Sequence, residues 1–169
     1  MHDFYHQLLR LDGGEYVLAK GLASGYPISA VLFREELGSW PPGAHGTTFG
    51  GQAVAAAAAH ATLDLLEGGL QENAARLGEF LLAELRALKR RFPFLGDVRG
   101  RGLMIGLDFG DPDHPQPDLR DKAVRLAFEK GLLLLPAGPS ALRIAPPLVL
   151  TQEEAALGLE ILEEVFRAL

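Results

Sequence analysis

The stretch YVLAKGLASGYPISA, residues 16–30, joins a short apolar run to a lysine and a glycine-containing turn. Residues 16–19 are apolar and flanked by turn formers, which predicts a buried strand. Residues 21–27 contain two glycines and a proline, which predicts a turn or irregular loop instead of a regular helix. Lys20 is therefore expected at the end of a core strand, where α/β proteins tend to bind ligands.

The side chain of Lys20 has two interpretations. A partly desolvated lysine at a strand end is a usable nucleophile towards an aldehyde. Alternatively, the side chain extends from the strand end into water, as the side chains of most lysines do. The strand and turn around Lys20 favour the first interpretation.

The composition indicates a globular protein and excludes several classes of function. Of the 169 residues, 48% are hydrophobic and 22% charged, which is enough apolar surface for a core. The net charge of −6 argues against nucleic-acid binding. The absence of cysteine excludes disulfides and thiolate metal sites and fits the cytoplasm. No apolar run reaches the ~18 residues of a membrane span, so we expect a soluble cytoplasmic protein.

Residues 1–15 are an atypical N-terminal segment with no signal-peptide pattern. His2 and His6 would share one face of a helix. Because no third ligand accompanies them, we expect two surface histidines and no metal site.

Residues 44–51, AHGTTFGG, form a polar, glycine-rich loop directly before an alanine-rich segment. Backbone N–H groups and hydroxyls at the start of a helix suit a phosphate, and Thr47 and Thr48 are the hydroxyl candidates. The alternative is that a threonine simply caps the helix. The spacing does not match that of a nucleotide P-loop.

The two glycines at 68–69 are expected to break or bend a helix. The same position divides the chain into two predicted domains, 16–68 and 69–169. The first ends in a helix over 53–66 that is apolar almost all round, which predicts burial on several sides. The second alternates helices and strands and is expected to be a small α+β domain. Its predicted elements begin with a helix from Asn73 to Phe92, a turn over 97–102 and a strand over 103–109. A helix over 119–130, capped by Asp118, and strands over 132–135 and 141–145 follow. The final helix is predicted to open with a capping box at 151–154 and to have Leu157, Ile161, Val165 and Leu169 on one face.

Arg143 interrupts an apolar run in the second predicted domain. Alternation along a strand places its side chain opposite those of Leu142 and Ile144. A guanidinium in that position suits a carboxylate, which it can bind through two hydrogen bonds. The alternative is a salt bridge to a local acid. Arg99 and Arg101 are secondary candidates.

Four segments together resemble successive signatures of the class III aminotransferases, which are pyridoxal-phosphate enzymes of fold type I. The segments are residues 16–27, 45–51, 97–106 and 142–147. The resemblance implies an α/β fold, namely the C-terminal part of a fold type I transferase, with the tail of its large domain and its small α+β domain. The final segments look most like those of the 4-aminobutyrate branch, and the acetylornithine branch is similar.

The resemblance also implies roles for three residues. Lys20 matches the lysine that binds pyridoxal 5'-phosphate covalently and then moves a proton. Thr48 matches the threonine that hydrogen-bonds the cofactor phosphate, usually across the interface of a homodimer. Arg143 matches the arginine that binds a substrate carboxylate. The implied reaction transfers an amino group from an ω-amino acid, such as 4-aminobutyrate, to a 2-oxo acid.

The match has a gap before Lys20. Family members carry an aspartate that pairs with the pyridine nitrogen, and Asp3 and Asp12 stand in the wrong context for this role. We therefore expect a C-terminal portion that exposes apolar surface around residues 17–20 and has little or no activity alone. The alternatives are a non-catalytic remnant or interaction module, and another pyridoxal enzyme such as a racemase, aminomutase or decarboxylase.

Overall fold

The computed structural model describes residues 15–38 and 40–169. They form two compact units, one that ends at Leu70 and one that spans Gln71–Leu169. The sequence prediction placed the domain boundary at residue 68. The predicted atypical N-terminal segment, with its two histidines, lies outside the described residues apart from Glu15, with which the first strand begins.

The first unit contains a ribbon of two antiparallel strands, β1 (Glu15–Leu18) and β2 (Ala30–Phe33). The predicted strand is therefore present, but the expectation that it is a buried core strand is wrong. Successive side chains of a strand point to opposite faces, and among the described residues only one face of this ribbon is packed against neighbours. Leu18 is 8% exposed, whereas Val17 is 59% exposed, so the expected apolar exposure is confirmed.

Helix α1 (Ala53–Leu65) forms where the alanine-rich segment predicts it, but its burial differs from the prediction. Its buried residues, Ala55, Ala59 and Thr62, follow one another at steps of four and three and form a single stripe. Val54 and Leu65 are 53% and 62% exposed, so burial on several sides is wrong for this helix. The apolar composition predicted correctly that this segment is a helix. It did not predict how many sides of the helix are covered by other residues.

The start of α1 is capped by Gln52, whose side-chain Oε1 accepts a hydrogen bond from the backbone N–H of Ala55 at 3.3 Å. The alternative in which a threonine caps this helix is therefore wrong. A single turn, Leu66–Leu70, follows the helix. Within it Gly69 has φ of 122°, a left-handed conformation that favours glycine, so the predicted interruption at the two glycines is confirmed.

The second unit is an α+β layer structure built on a four-stranded antiparallel sheet with the strand order β3-β4-β6-β5. The buried side chains of its three helices and those of the sheet form one core. Its helices and strands, in chain order, are α2 (Gln71–Arg91), β3 (Leu95–Arg101), β4 (Met104–Phe109), α3 (Pro117–Glu129), β5 (Leu135–Ala137), β6 (Ala141–Ile144) and α4 (Gln152–Arg167).

Several boundaries in this unit differ from the predictions. Residues 97–102, predicted as a turn, lie mostly in β3, because their backbone pairs with β4. The predicted strand 132–135 begins only at Leu135. Helix α3 has Pro117 at its first position and Gln116 as its cap, so the prediction of Asp118 as the cap is wrong.

The final helix, α4, begins with the predicted capping box. The Thr151 hydroxyl accepts from the backbone N–H of Glu154 at 3.2 Å, and the Glu154 carboxylate accepts from the backbone N–H of Thr151 at 2.9 Å. The predicted core face is only partly right, because Leu157 is 56% exposed. The buried residues of the helix are Ala155, Leu162, Val165 and Phe166.

Gly78 on α2 lies against the turn between β3 and β4. A Cβ at this position would lie 2.3 Å from the backbone oxygen of Gly102, closer than any van der Waals contact allows. The helix can approach the hairpin this closely only because Gly78 has no side chain. Gly158 on α4 offers a contrast, because a Cβ there would lie 3.9 Å from Leu132 Cδ1.

We expect Gly78→Ala to lower the free energy of unfolding by roughly 1–3 kcal/mol, since the helix or the hairpin must move. The matched variant Gly158→Ala should raise it by about 0.5–1 kcal/mol, because alanine has the higher helix propensity and its methyl group fits. Urea unfolding measures both changes. A Gly78→Ala protein as stable as the unaltered chain would contradict the close packing.

Candidate functional site

Lys20 lies two residues after the end of β1, as the first residue of a 3-10 turn, Lys20–Ala23. Its backbone φ is 53°, a left-handed conformation that is uncommon for any residue except glycine. The side chain is exposed and makes no hydrogen bond or ion pair with any described residue. The predicted placement at a strand end is right, whereas the predicted desolvation is not found among the described residues.

Thr48 lies in the same unit, in the loop between the second 3-10 turn (Glu35–Leu37) and α1. The predicted loop over 44–51 is present and exposed throughout. The hydroxyl of Thr48 has no hydrogen-bond partner among the described residues, Lys20 included. Phe49, its neighbour, is 80% exposed. The loop therefore presents an unpaired hydroxyl beside a large apolar side chain.

Arg143 lies on β6 in the second unit, on the outer face of the sheet. The preceding residue of β6, Leu142, is paired across the sheet with Leu107 and Val98, and all three side chains are buried in the core. Arg143 is paired in the same way with Gly106 and Arg99. Because successive residues of a strand point to opposite faces, this row of three residues lies on the face away from the core. Gly106 has no side chain, so space remains beside Arg143 on the central strand.

The guanidinium of Arg143 makes no ion pair with any described residue, so the alternative of a local salt bridge is wrong. Arg99, in the same row, differs sharply. It pairs with Asp97 at 2.8 Å and with Asp108. Its hydrogen bonds to Asp108 and Asp97 raise the pKa of the Arg99 guanidinium, and the hydrogen bond from Arg99 lowers the pKa of Asp97. Of the two arginines, only Arg143 has its charge available for a ligand.

The sequence reasoning did not single out Arg120, which holds the hairpin that carries Arg143. Arg120 lies on α3 and is 7% exposed. Its Nη1 donates to the backbone oxygens of Ala141 at 2.9 Å and Ala137 at 3.4 Å, and its Nε donates to Asp121 at 2.6 Å. The backbone oxygens of Ala137 and Ala141 lie on either side of the turn between β5 and β6. The spacing of Arg120, Ala123 and Ala127 on one helix face was the available signal.

We expect Arg120→Met to lower the free energy of unfolding by roughly 1–3 kcal/mol, because the buried backbone oxygens of the turn lose a charged donor. Arg125→Met is the control, since Arg125 lies exposed on the same helix. Its effect should stay within about 0.5 kcal/mol. Chemical unfolding of the two variants measures the difference, and equal stabilities would show that the buried guanidinium is not needed.

Comparison with known proteins identifies the family. The model of the family described as Aminotransferase class-III matches residues 14–166. The chain belongs to the class-III aminotransferases. An alanine/serine racemase from Pyrococcus horikoshii is 41% identical over 89% of this chain and 33% of the racemase. An acetylornithine aminotransferase from Bacillus subtilis is 40% identical over 90% of this chain and 38% of that enzyme.

Solved structures agree with this class-III assignment. The crystal structure of an acetylornithine aminotransferase from Elizabethkingia anophelis superimposes with a TM-score of 0.83 at 32% identity, over 98% of this chain and 43% of that one. The predicted fold class, a part of the fold type I transferase fold, is therefore confirmed. The chain spans between a third and about two fifths of the length of these relatives.

Other features of the class-III chain concern membranes and metals. Among residues 15–38 and 40–169, no helix combines the length and the apolar character that crossing a membrane requires. Within this part of the chain, no group of three or more histidine and acidic side chains is arranged to hold a metal ion. The rings of His45 and Trp40 pack edge to face, with 4.7 Å between their centroids.

Proposed function

We propose that the protein is a pyridoxal-phosphate-dependent aminotransferase that moves an amino group from an ω-amino acid to a 2-oxo acid, and that this chain by itself is weakly active or inactive. The observation that carries this proposal is Lys20, an unpaired amine on a left-handed turn at the end of a strand. Membership of the class-III family supports it. In this proposal the cofactor-binding Lys20 belongs to a domain over 16–68, and the substrate-binding Arg143 belongs to a domain over 69–169.

The residues of the first unit fit pyridoxal phosphate, which combines an aldehyde and a phosphate. The amine of Lys20 is accessible to the aldehyde, because it is exposed and makes no hydrogen bond or ion pair with a described residue. When bound, the cofactor supplies an electron sink that makes a proton on the substrate carbon removable. The Nζ of Lys20 would serve as the base that takes this proton from the substrate carbon.

Thr48 is the proposed partner of the cofactor phosphate. Its hydroxyl is an unpaired donor in a loop rich in backbone N–H groups, close to the start of α1. We also propose that the protein is a homodimer in which this loop serves the site of the partner subunit. Phe49 is 80% exposed, and the neighbouring rings of Phe33 and Trp40 are 39% and 48% exposed. Exposed large apolar side chains in this segment support an interface, since such surface is often covered by a partner.

Arg143 is the proposed group that orients the substrate. Its guanidinium is free of acidic partners and extends from a central row of the sheet beside Gly106. A carboxylate of the amino acid would form two parallel hydrogen bonds with it. This contact selects substrates by the position of their carboxylate relative to the reacting amine.

The amino donor has two candidates, and racemisation is a second candidate reaction. The final segments of the sequence suggest 4-aminobutyrate, whereas the names of the similar proteins favour an acetylornithine-type donor. The similar racemase from Pyrococcus horikoshii supports a second candidate function, in which one amino acid is interconverted with its mirror image. A cytoplasmic location, suggested by the lack of cysteine, stays a prediction.

We expect the purified protein to bind pyridoxal phosphate saturably, with a visible absorbance band that borohydride converts to a stable adduct on Lys20. Lys20→Ala should lose both the band and the adduct. Lys130→Ala is the control, because Lys130 pairs with Glu164 at 2.7 Å and should leave both unchanged. Peptide mass spectrometry locates the adduct. Labelling of all four lysines alike would favour a non-catalytic interaction module.

The substrate is tested by adding amino acids to the loaded protein and following its absorbance. We expect Arg143→Lys to weaken the response to a carboxylate-bearing donor about ten-fold, because lysine keeps the charge but loses the paired hydrogen bonds. Arg99→Lys is the control, since Arg99 is already paired with Asp97 and Asp108. Equal responses of both variants would contradict the assigned role of Arg143.

Product analysis in the same experiment separates the two reactions. An aminotransferase consumes N-acetylornithine or 4-aminobutyrate only when a 2-oxo acid such as 2-oxoglutarate accepts the amino group. A racemase converts L-alanine into D-alanine with no 2-oxo acid present. Formation of D-alanine alone would replace the proposed function with the second candidate.

A further inference from the structure

The turn that carries Lys20 ends in a hydrogen bond to helix α1. Ser24, the residue after the turn, has its Oγ 3.0 Å from Oγ1 of Thr62. Thr62 lies on the buried stripe of α1 and is 8% exposed. The two residues are 38 positions apart in the chain, so this contact joins separate elements of the first unit.

The direction of this hydrogen bond follows from the other contact of Thr62. Its hydroxyl donates to the backbone oxygen of Ala58, one helical turn earlier, at 2.9 Å. A threonine hydroxyl has a single proton to donate. Thr62 therefore accepts from Ser24, and the hydroxyl of Ser24 is the donor. The hydroxyl protons of Ser24 and Thr62 are thus both used in hydrogen bonds, and rotation of either hydroxyl would break one of them.

The backbone of the turn depends on such external contacts. Lys20 and Ser24 have φ of 53° and 49° and are the two non-glycine residues with positive φ in the described part of the chain. Left-handed backbone is unfavourable for residues with a Cβ and persists only where the surroundings hold it. Between them, Leu22 and Ala23 are buried in a small apolar cluster with Leu18. Packing holds the middle of the turn, and the Ser24 hydroxyl holds its end.

We propose that Ser24 and Thr62 form a tether that positions the amine of Lys20. Both are positioning residues, because they act through the backbone of the turn and not on the cofactor. The proposal rests on the proposed function of Lys20 as the cofactor-binding lysine. It adds two residues to the site and states how they act.

The tether also connects the two groups assigned to the cofactor. Thr62 belongs to α1, and α1 begins at Ala53, five residues after Thr48. The turn of Lys20 is thereby attached to the helix that the loop of Thr48 enters. A shift of this helix would move both the amine and the hydroxyl.

Thr62→Val tests the tether, because valine has the shape of threonine and lacks the hydroxyl. We expect the capture of pyridoxal phosphate by Lys20, trapped with borohydride, to become about five-fold slower, as the loss of one hydrogen bond implies. Thr62→Ser restores the hydroxyl and should restore the rate. Thr151→Val is the matched control, since it removes a threonine hydrogen bond in the second unit and should leave Lys20 unaffected.

A double-variant cycle identifies the partner of Thr62. Ser24→Ala keeps the Cβ, and therefore the backbone cost of the left-handed conformation, while it removes the donor. If the two hydroxyls act as one tether, the double variant Ser24→Ala, Thr62→Val should be no slower than either single variant. Effects that multiply in the double variant would overturn the tether.

Hydrogen exchange of the backbone amides in residues 20–26 provides a readout that does not require the cofactor. Thr62→Val should exchange about five-fold faster there than the Thr151→Val control, because the turn opens more often. If the unaltered protein captures no cofactor, the proposed function fails, and the exchange rates still decide whether the tether exists. Capture rates and exchange rates that equal those of the unaltered protein would overturn the proposal.

Discussion

The candidate site depends on a sharp left-handed turn that follows strand β1. Lys20 and Ser24 both adopt positive φ, which residues with a Cβ avoid unless the surroundings compensate for it. The burial of Leu22 and Ala23 supplies that compensation and keeps the turn against α1. The apolar residues on either side of the lysine are thus not a buried strand but the anchors of an exposed amine.

The second unit places its functional side chain by a different means, the register of an antiparallel sheet. Leu142 is buried in the core, and this forces Arg143 to the outer face. Gly106 leaves space beside it, and the pairing of Arg99 with two carboxylates leaves Arg143 as the available charge. Arg120 supports the hairpin from behind with two backbone contacts. Apolar burial, one glycine and one buried cation together produce an exposed arginine.

Local signals predicted those features that a few neighbouring residues decide. The capping box at Thr151, the interruption near Gly69 and the loop around Thr48 are all present, since each needs only its own segment. Two predictions that required knowledge of distant neighbours were wrong. Residues 97–102 form a strand because β4 lies beside them. Helix α1 is buried along one stripe because the described residues cover only that side.

The sequence by itself determined the family, the position of Lys20 at a strand end and the outward direction of Arg143. These follow from motifs and from the period of two along a strand, which the chain carries locally. Only the tertiary structure decided that Arg143 makes no ion pair with a described residue, that Arg120 is buried and that Ser24 and Thr62 share a hydrogen bond. Each of these depends on residues distant in the chain that the fold brings within hydrogen-bond range or keeps apart.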